Sequence, residues 1–276
     1  MNVRSNAKLA EGLRILCLTL VSLLIFFPFA WMIISAFKSA GEVLDKNVFL
    51  PTQWHPENFI SAWGRSPFGI YFRNSLLMSA AVVLMQMITS SLAAFAFAKL
   101  KFCLSKPLFF LFLCSMMIPG EATIISNYLL ISDMGLMDTF LAVVMPSFVS
   151  VFGVFLLRQF YMTIPDALIE SARIDGATDL KTFFRIILPL GKSALATIAI
   201  IGFINNWNSY LWPMIITNSM ELRTVQTGLR SMLDVDLGIQ WQEILAMSTI
   251  ITLPVLALFV CLQKYFVQGI TKVGIK

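Results

Sequence analysis

Charge is scarce in this chain: Asp, Glu, Lys and Arg make up 13% of its 276 residues, against 58% hydrophobic residues. Water-facing domains carry about a quarter charged residues, so a soluble globule is excluded. Histidine occurs once, at His55, with no acidic cluster beside it, which removes the usual donor set of a metal site. The four cysteines, Cys17, Cys103, Cys114 and Cys261, show no paired spacing and lie in or beside apolar runs. They are expected to be buried packing residues, not disulfide partners or zinc ligands. No G-x-x-x-x-G-K-S/T stretch occurs, so the chain has no nucleotide phosphate loop of its own. There is no internal repeat and no low-complexity tract.

What the chain does have is long apolar sequence, with a mean hydropathy of +0.82. Uncharged runs of 23, 25, 19, 28 and 20 residues lie between Arg14 and Lys38, Arg73 and Lys99, Asp138 and Arg158, Lys192 and Glu221, and Glu243 and Lys264. A helix rises about 1.5 Å per residue, so roughly 20 such residues cross a hydrocarbon core of about 30 Å. Each run therefore predicts a membrane helix. A sixth candidate is shorter, because Lys106 to Glu121 encloses only 14 uncharged residues. The apolar run resumes after Glu121, which predicts one span over Pro107–Asn127, bent near its outer end at Pro119 and Gly120. The first run exceeds a signal h-region of roughly 7–15 residues and reads as a retained anchor.

Basic residues orient these spans. With the N-terminus inside, 14 of the 20 Lys and Arg residues fall on inner segments, as the positive-inside rule requires. Both termini are then cytosolic, and the net charge of +5 is a topology signal and not a nucleic-acid footprint. Glu121 is the one acid close to membrane depth; elsewhere no Asp, Glu, Lys or Arg stands within a span, so the ionisable relays of an ion-coupled carrier are missing. A membrane enzyme would need a nucleophile, a metal site or an acid–base pair, and no such constellation is found. An ion-gradient-driven secondary carrier for a small polar solute is the alternative reading.

One inner segment, Glu170–Pro189, reads ESARIDGATDLKTFFRIILP. Pro165 suits the first position of a helix, Asp166 complements its dipole, and Gly176 stands where a C-terminal cap is expected. Leu168 and Ala172 share a face, Glu170 and Arg173 can pair at i,i+3, and Asp179 can cap a second helix through Lys181–Leu188. Two short helices around a small-residue turn would let a partner approach closely.

The order Glu170-Ser171-Ala172, Gly176, then Ile186, Leu188 and Pro189 closely resembles the cytoplasmic loop of importer permeases of the ATP-binding cassette (ABC) class. The usual family form has Ala where this chain has Ser171. Met117–Glu121, Arg158–Phe160, Ile164–Asp166, Asn206–Pro213 and the ending Phe266–Thr271 resemble the carbohydrate group of that family, of the maltose and glycerol-phosphate type. So does the turn-rich strap at 51–59 in the outer segment Lys38–Arg73. The resemblance implies an all-α, six-helix type I importer permease. An anchor helix and outer loop would occupy 1–69, a permease core 70–266 with its coupling loop at 161–192, and a cytosolic tail 267–276. It implies docking of an ATPase on Glu170, Ser171, Ala172, Arg173, Asp175 and Gly176. It further implies a second homologous permease, two ATPase subunits that bind ATP and Mg, and an extracellular or periplasmic solute-binding protein. The cargo would be a sugar, an oligosaccharide or a sugar-like polyol phosphate, crossing the inner membrane of a prokaryote. The chain itself would be neither an enzyme nor a cofactor carrier.

For substrate contact the candidates are Asn205, Asn208 and Tyr210 in the fifth run, and Glu121. As one continuous helix, Asn205, Asn208 and Trp212 would share a face at i, i+3 and i+7. Amides can bond sugar hydroxyls and aromatic rings can cover sugar C–H faces. Asparagine also serves as interhelical glue, Trp212 as a belt residue and Glu121 as a helix-end charge. Pro28, Pro119, Pro146, Pro213 and Pro254 are expected to bend their spans.

Overall fold

The computed structural model describes residues 3–234 and 238–274; Ile275 and Lys276, the end of the 267–276 tail, lie outside them. Among the described residues every regular element is helical. Three helices cross a membrane by length and composition alone: Glu11–Ala36 of 26 residues, Phe68–Lys99 of 32, and Trp241–Lys264 of 24. Three more spans are broken pairs, bent by 94° between Ser105–Met117 and Gly120–Asp133, by 43° between Phe140–Ser147 and Val151–Met162, and by 76° between Asp179–Leu190 and Lys192–Trp207. With each bent pair taken as one span, the described residues hold six spans, three of them interrupted.

The chain divides into two compact units, one of Met1–Pro67 with Leu229–Leu253, the other of Phe68–Gly228 with Pro254–Lys276. In the first unit, the helix Val3–Ala36 runs uninterrupted through Pro28. Its apolar side chains from Leu13 to Phe29 are exposed, as a lipid-facing helix demands. The segment after it holds more helix than its turn residues suggest, since Ala40–Leu44 and Glu57–Gly64 are both helical. Lys38 is fully buried there. Its Nζ donates to the Val48 carbonyl at 2.7 Å and lies 4.1 Å from the Trp31 ring centre. Asn58 donates to the carbonyls of Ala36 and Lys38, both at 2.9 Å, and so pins the same corner. Arg65 and Glu243 close an ion pair at 2.9 Å.

In the second unit, Phe68–Lys99 is the central post, packed against Val151–Met162 and Lys192–Trp207. Small residues make that approach possible. A Cβ on Gly153 would lie 2.7 Å from Ser90 Oγ, and one on Gly202 would lie 2.6 Å from Gln86 Oε1. Phe95, Leu157, Phe183, Ile187 and Ile198 fill one cluster of this packing; Met78, Val82, Ile131, Val144 and Ile216 fill another.

The post also repairs a break. Where the Phe140–Ser147 and Val151–Met162 helices part, carbonyls lose their intrahelical donors, a defect that lipid cannot satisfy. Gln86 donates to the Ser147 carbonyl at 2.7 Å, Thr89 to Phe148 at 2.8 Å and Ser90 to Ser150 at 3.4 Å. These three residues stand at i, i+3 and i+4, on one face of the post.

Several expectations are corrected. The third span starts at Ser105 and ends at Asp133, and Pro119 does not merely bend it but breaks it by 94°. A proline without an N–H, followed by a glycine in a 3₁₀ turn, gives the helix no ladder across that point. Pro28 and Pro254 lie inside continuous helices. None of the cysteines is buried: Cys17, Cys103 and Cys261 are exposed, Cys114 is half-buried, and all four are free. An apolar environment outside the protein suits a thiol as well as a core does.

Candidate functional site

The segment after Val151–Met162 turns at Pro165, which precedes the helix Asp166–Ile174 as its N-cap and is not its first residue. Asp166 opens that helix, and Lys99 from the end of the post reaches it. Lys99 Nζ donates to Asp166 Oδ1 and to the Ile164 carbonyl, both at 2.6 Å. The Lys99 hydrogen bond and charge hold the Asp166 carboxyl below its ordinary range. The helix stops at Asp175. Gly176 then takes φ +78°, its N–H donates to the Arg173 carbonyl at 3.0 Å, and the Ala177 N–H donates to Ala172 at 2.9 Å. Those two bonds define a Schellman cap. A left-handed residue is needed here and Gly176 supplies it, with nothing within 4 Å of its missing Cβ.

Local pairing differs from expectation in four places. Arg173 pairs with Asp179 at 3.0 Å, across the turn, and not with Glu170. Thr178 caps the next helix by accepting from the Lys181 N–H, so Asp179 is its first residue and not its cap. The buried face is Ile169 with Ala172, while Leu168 is 44% exposed. The second helix does not run evenly to Leu188, because Phe183–Ile187 widens into a π-helical turn. Glu170, Ser171, Arg173, Asp175 and Gly176 all stand exposed. Beside them, Ile174 is 87% and Leu180 63% exposed. Sequence reading passed over both, although an isoleucine off the 169/172 face was the available signal.

A cavity of about 440 Å³ opens in the same unit. The break at Pro119 turns Gly120–Thr123 and Ile124–Asp133 into one wall, which brings Glu121 and Asn127 to it. Ser75 and Met78 of the post form a second wall, and the Val144–Ser147 break forms a third. The fourth comes from Asn206, Ser209, Tyr210 and Trp212.

That fourth wall is not one helix. Lys192–Trp207 ends before Asn208, and Leu211–Ile216 starts afresh, so Asn205, Asn208 and Trp212 do not share a helical face. Asn205 is exposed and does not line the cavity; Asn208 is also exposed, accepting from Gln226 at 3.2 Å. Tyr210 and Glu121 do line it. Asn206, Ser209 and Asn127 join them, and no periodic pattern points to those three, because the helix break decides which amide turns inward. Trp212 donates its indole N–H to the Ala142 carbonyl at 3.2 Å, which fixes its ring in the wall.

Among the described residues no His, Cys, Asp and Glu group could hold a metal ion.

The chain is similar to the sn-glycerol-3-phosphate transport system permease protein UgpE of Yersinia pestis, at 33% identity over 273 residues, covering 94% of this chain and 96% of that protein. It is similar to the arabinooligosaccharides transport system permease protein AraQ of Halalkalibacterium halodurans, at 30% identity over 279 residues and 99% of each chain. In fold it matches a chain of a bacterial ABC transporter involved in the import of the acidic polysaccharide alginate. The TM-score is 0.82 at 23% identity, covering 96% of this chain and 99% of that one. The fold is thus the type I importer permease fold. The family model of the binding-protein-dependent transport system inner membrane component matches residues 86–272, a range that takes in the capped loop and most of the cavity wall, and the chain belongs to that family.

Proposed function

We propose that this chain is a permease subunit of an ATP-driven importer that moves a sugar, an oligosaccharide or a sugar-like polyol phosphate across the inner membrane. The solute arrives from a solute-binding protein. A second permease completes the pathway and two ATPase subunits bind ATP and Mg. Both termini and the loop at 161–192 lie in the cytosol, in agreement with 14 of 20 basic residues on the inner segments taken together. The carbohydrate class is supported by the names of the UgpE and AraQ relatives.

One observation carries the reading. The helix Asp166–Ile174 presents an exposed, Schellman-capped end with Ile174 87% exposed, where a cytosolic loop would otherwise bury its isoleucine. Ile174 and Leu180, on either side of the Gly176 turn, expose apolar side chains among the exposed charges of Glu170, Arg173 and Asp175, a combination suited to a groove on another protein. Movement imposed there has a stiff route inward. Lys99–Asp166 and Arg173–Asp179 lock the loop, and buried Phe183 and Ile187 seat the π-helical turn in the core. The 76° bend then leads into Lys192–Trp207, whose end carries Asn206 into the cavity.

The test is co-purification. Gly176→Val forces a β-branched residue into the left-handed region and should unwind the cap. ATPase subunits are then expected to be lost from the tagged complex, while Gly176→Asn, which tolerates that backbone region, retains them. Full ATPase recovery with the valine variant would contradict the docking role.

A further inference from the structure

The cavity lining carries one carboxylate among hydroxyl and amide groups. Glu121 is the only ionisable carboxyl lining it, and no Lys, Arg or His joins it among the described lining residues. Several neighbouring donors are already used. Asn206 Nδ2 donates to the Gly202 carbonyl at 2.9 Å, which leaves its Oδ1 free to accept. Thr123 Oγ1 donates to Gly120, the Tyr210 hydroxyl to Met214 Sδ and the Trp212 indole to Ala142. The carboxylate of Glu121 only accepts. Hydroxyls on a ligand meet these acceptors, and the Asn127 amide and the Ser147 and Ser209 hydroxyls in the lining can bond a sugar in either sense; a phosphate or a uronate brings a second negative charge with no cation in the lining to meet it.

The geometry points to Glu121 as the residue that selects neutral, polyhydroxylated solutes in this cavity and excludes phosphorylated polyols and acidic sugars. The selection rests on the carbohydrate-importer reading and narrows it, separating this chain's cargo from the anionic solutes named for two of the proteins it is similar to. The helix break at Pro119 is what makes the selection structural, because a continuous helix would not turn Gly120–Thr123 into the wall.

The experiment uses the purified complex of this chain with its partner permease and ATPase subunits, without the solute-binding protein, so that the delivery protein's own preference does not enter. Equilibrium binding of labelled maltotriose is compared with trigalacturonate and with sn-glycerol 3-phosphate. The native complex is expected to favour maltotriose by roughly tenfold or more, the scale of one charge-assisted hydrogen bond. Glu121→Gln should lower that ratio to within about threefold, and Glu121→Lys should invert it. Asn127→Lys, which leaves Glu121 in place and adds a cation to the same wall, should also admit the anionic probes. Size-exclusion profiles of each variant complex show whether it has assembled. Equal retention of neutral and acidic probes by the native complex, or a ratio unmoved by all three variants, overturns the selection while the importer reading stands. Binding of none of the probes by an assembled complex likewise overturns the selection alone. Failure of the native chain to assemble with any ATPase overturns the importer reading, and the selection falls with it.

Discussion

Glu42 shows what a single exposed carboxylate does in a strap. It accepts from the Thr52 hydroxyl, from the Ser39 and Thr52 N–H groups, both at 3.0 Å, and from the Ser39 hydroxyl at 3.1 Å. The Thr52 hydroxyl bond leads the causes that lower its carboxyl from 4.5 to about 2. The folded value lies below the unfolded one, so the stabilising contribution is complete above pH 4.5 and is lost as pH falls towards about 2. Limited proteolysis at Lys46 is expected to accelerate across that acid window in the native chain. In Glu42→Gln the strap should be cut at one rate throughout, and an acid-dependent rate surviving in that variant would contradict the assignment. The sequence marked 51–59 as turn-rich from its prolines and asparagine. It did not show that Glu42 reaches ten residues forward to Thr52, or that Lys38, which bounds the first apolar run, is buried against Trp31. Both partners are set by how the strap folds back, which no local pattern records.

At the scale of elements, long periodic helices were legible and interruptions were not. The runs 15–37 and 74–98 became helices much as hydrophobic length requires, because in lipid an unbroken backbone ladder is the default. The runs 139–157 and 193–220 broke at Phe148–Ser150 and Asn208–Tyr210, where the chain can leave the ladder only if another element supplies donors. For the first break those donors are Gln86, Thr89 and Ser90. Gln86→Leu keeps the volume of the side chain but leaves the Ser147 carbonyl without its donor. It should destabilise the second unit by about 1–3 kcal/mol, read as a lower unfolding midpoint in detergent; an unchanged midpoint would mean that water from the cavity replaces the amide. The loop after Asp166–Ile174 was legible to the residue at Gly176, whose left-handed φ follows from glycine at a helix end. The partner of Arg173 was not, because i,i+3 spacing to Glu170 and a contact across the turn to Asp179 are equally reachable for so long a side chain.

For the molecule as a whole, composition alone separated a membrane protein from a soluble one. Among the apolar runs only Glu121 offers an ionisable group, which argued against the relay of an ion-coupled carrier. The site was only half visible. The proposed docking face lies in contiguous sequence and carries its spacing with it, whereas the cavity is assembled from four walls brought together by breaks at Pro119, at Ser147 and after Trp207. That is why Glu121 and Tyr210 were found and Asn206, Ser209 and Asn127 were not. The central claim is that energy enters this chain from an ATPase through the loop at Glu170–Pro189. Its most direct test is uptake of a labelled carbohydrate into proteoliposomes holding the complete importer and its solute-binding protein. Uptake is expected with ATP on the ATPase side and none with a proton or sodium gradient alone. Accumulation driven by such a gradient in vesicles lacking the ATPase subunits would contradict it.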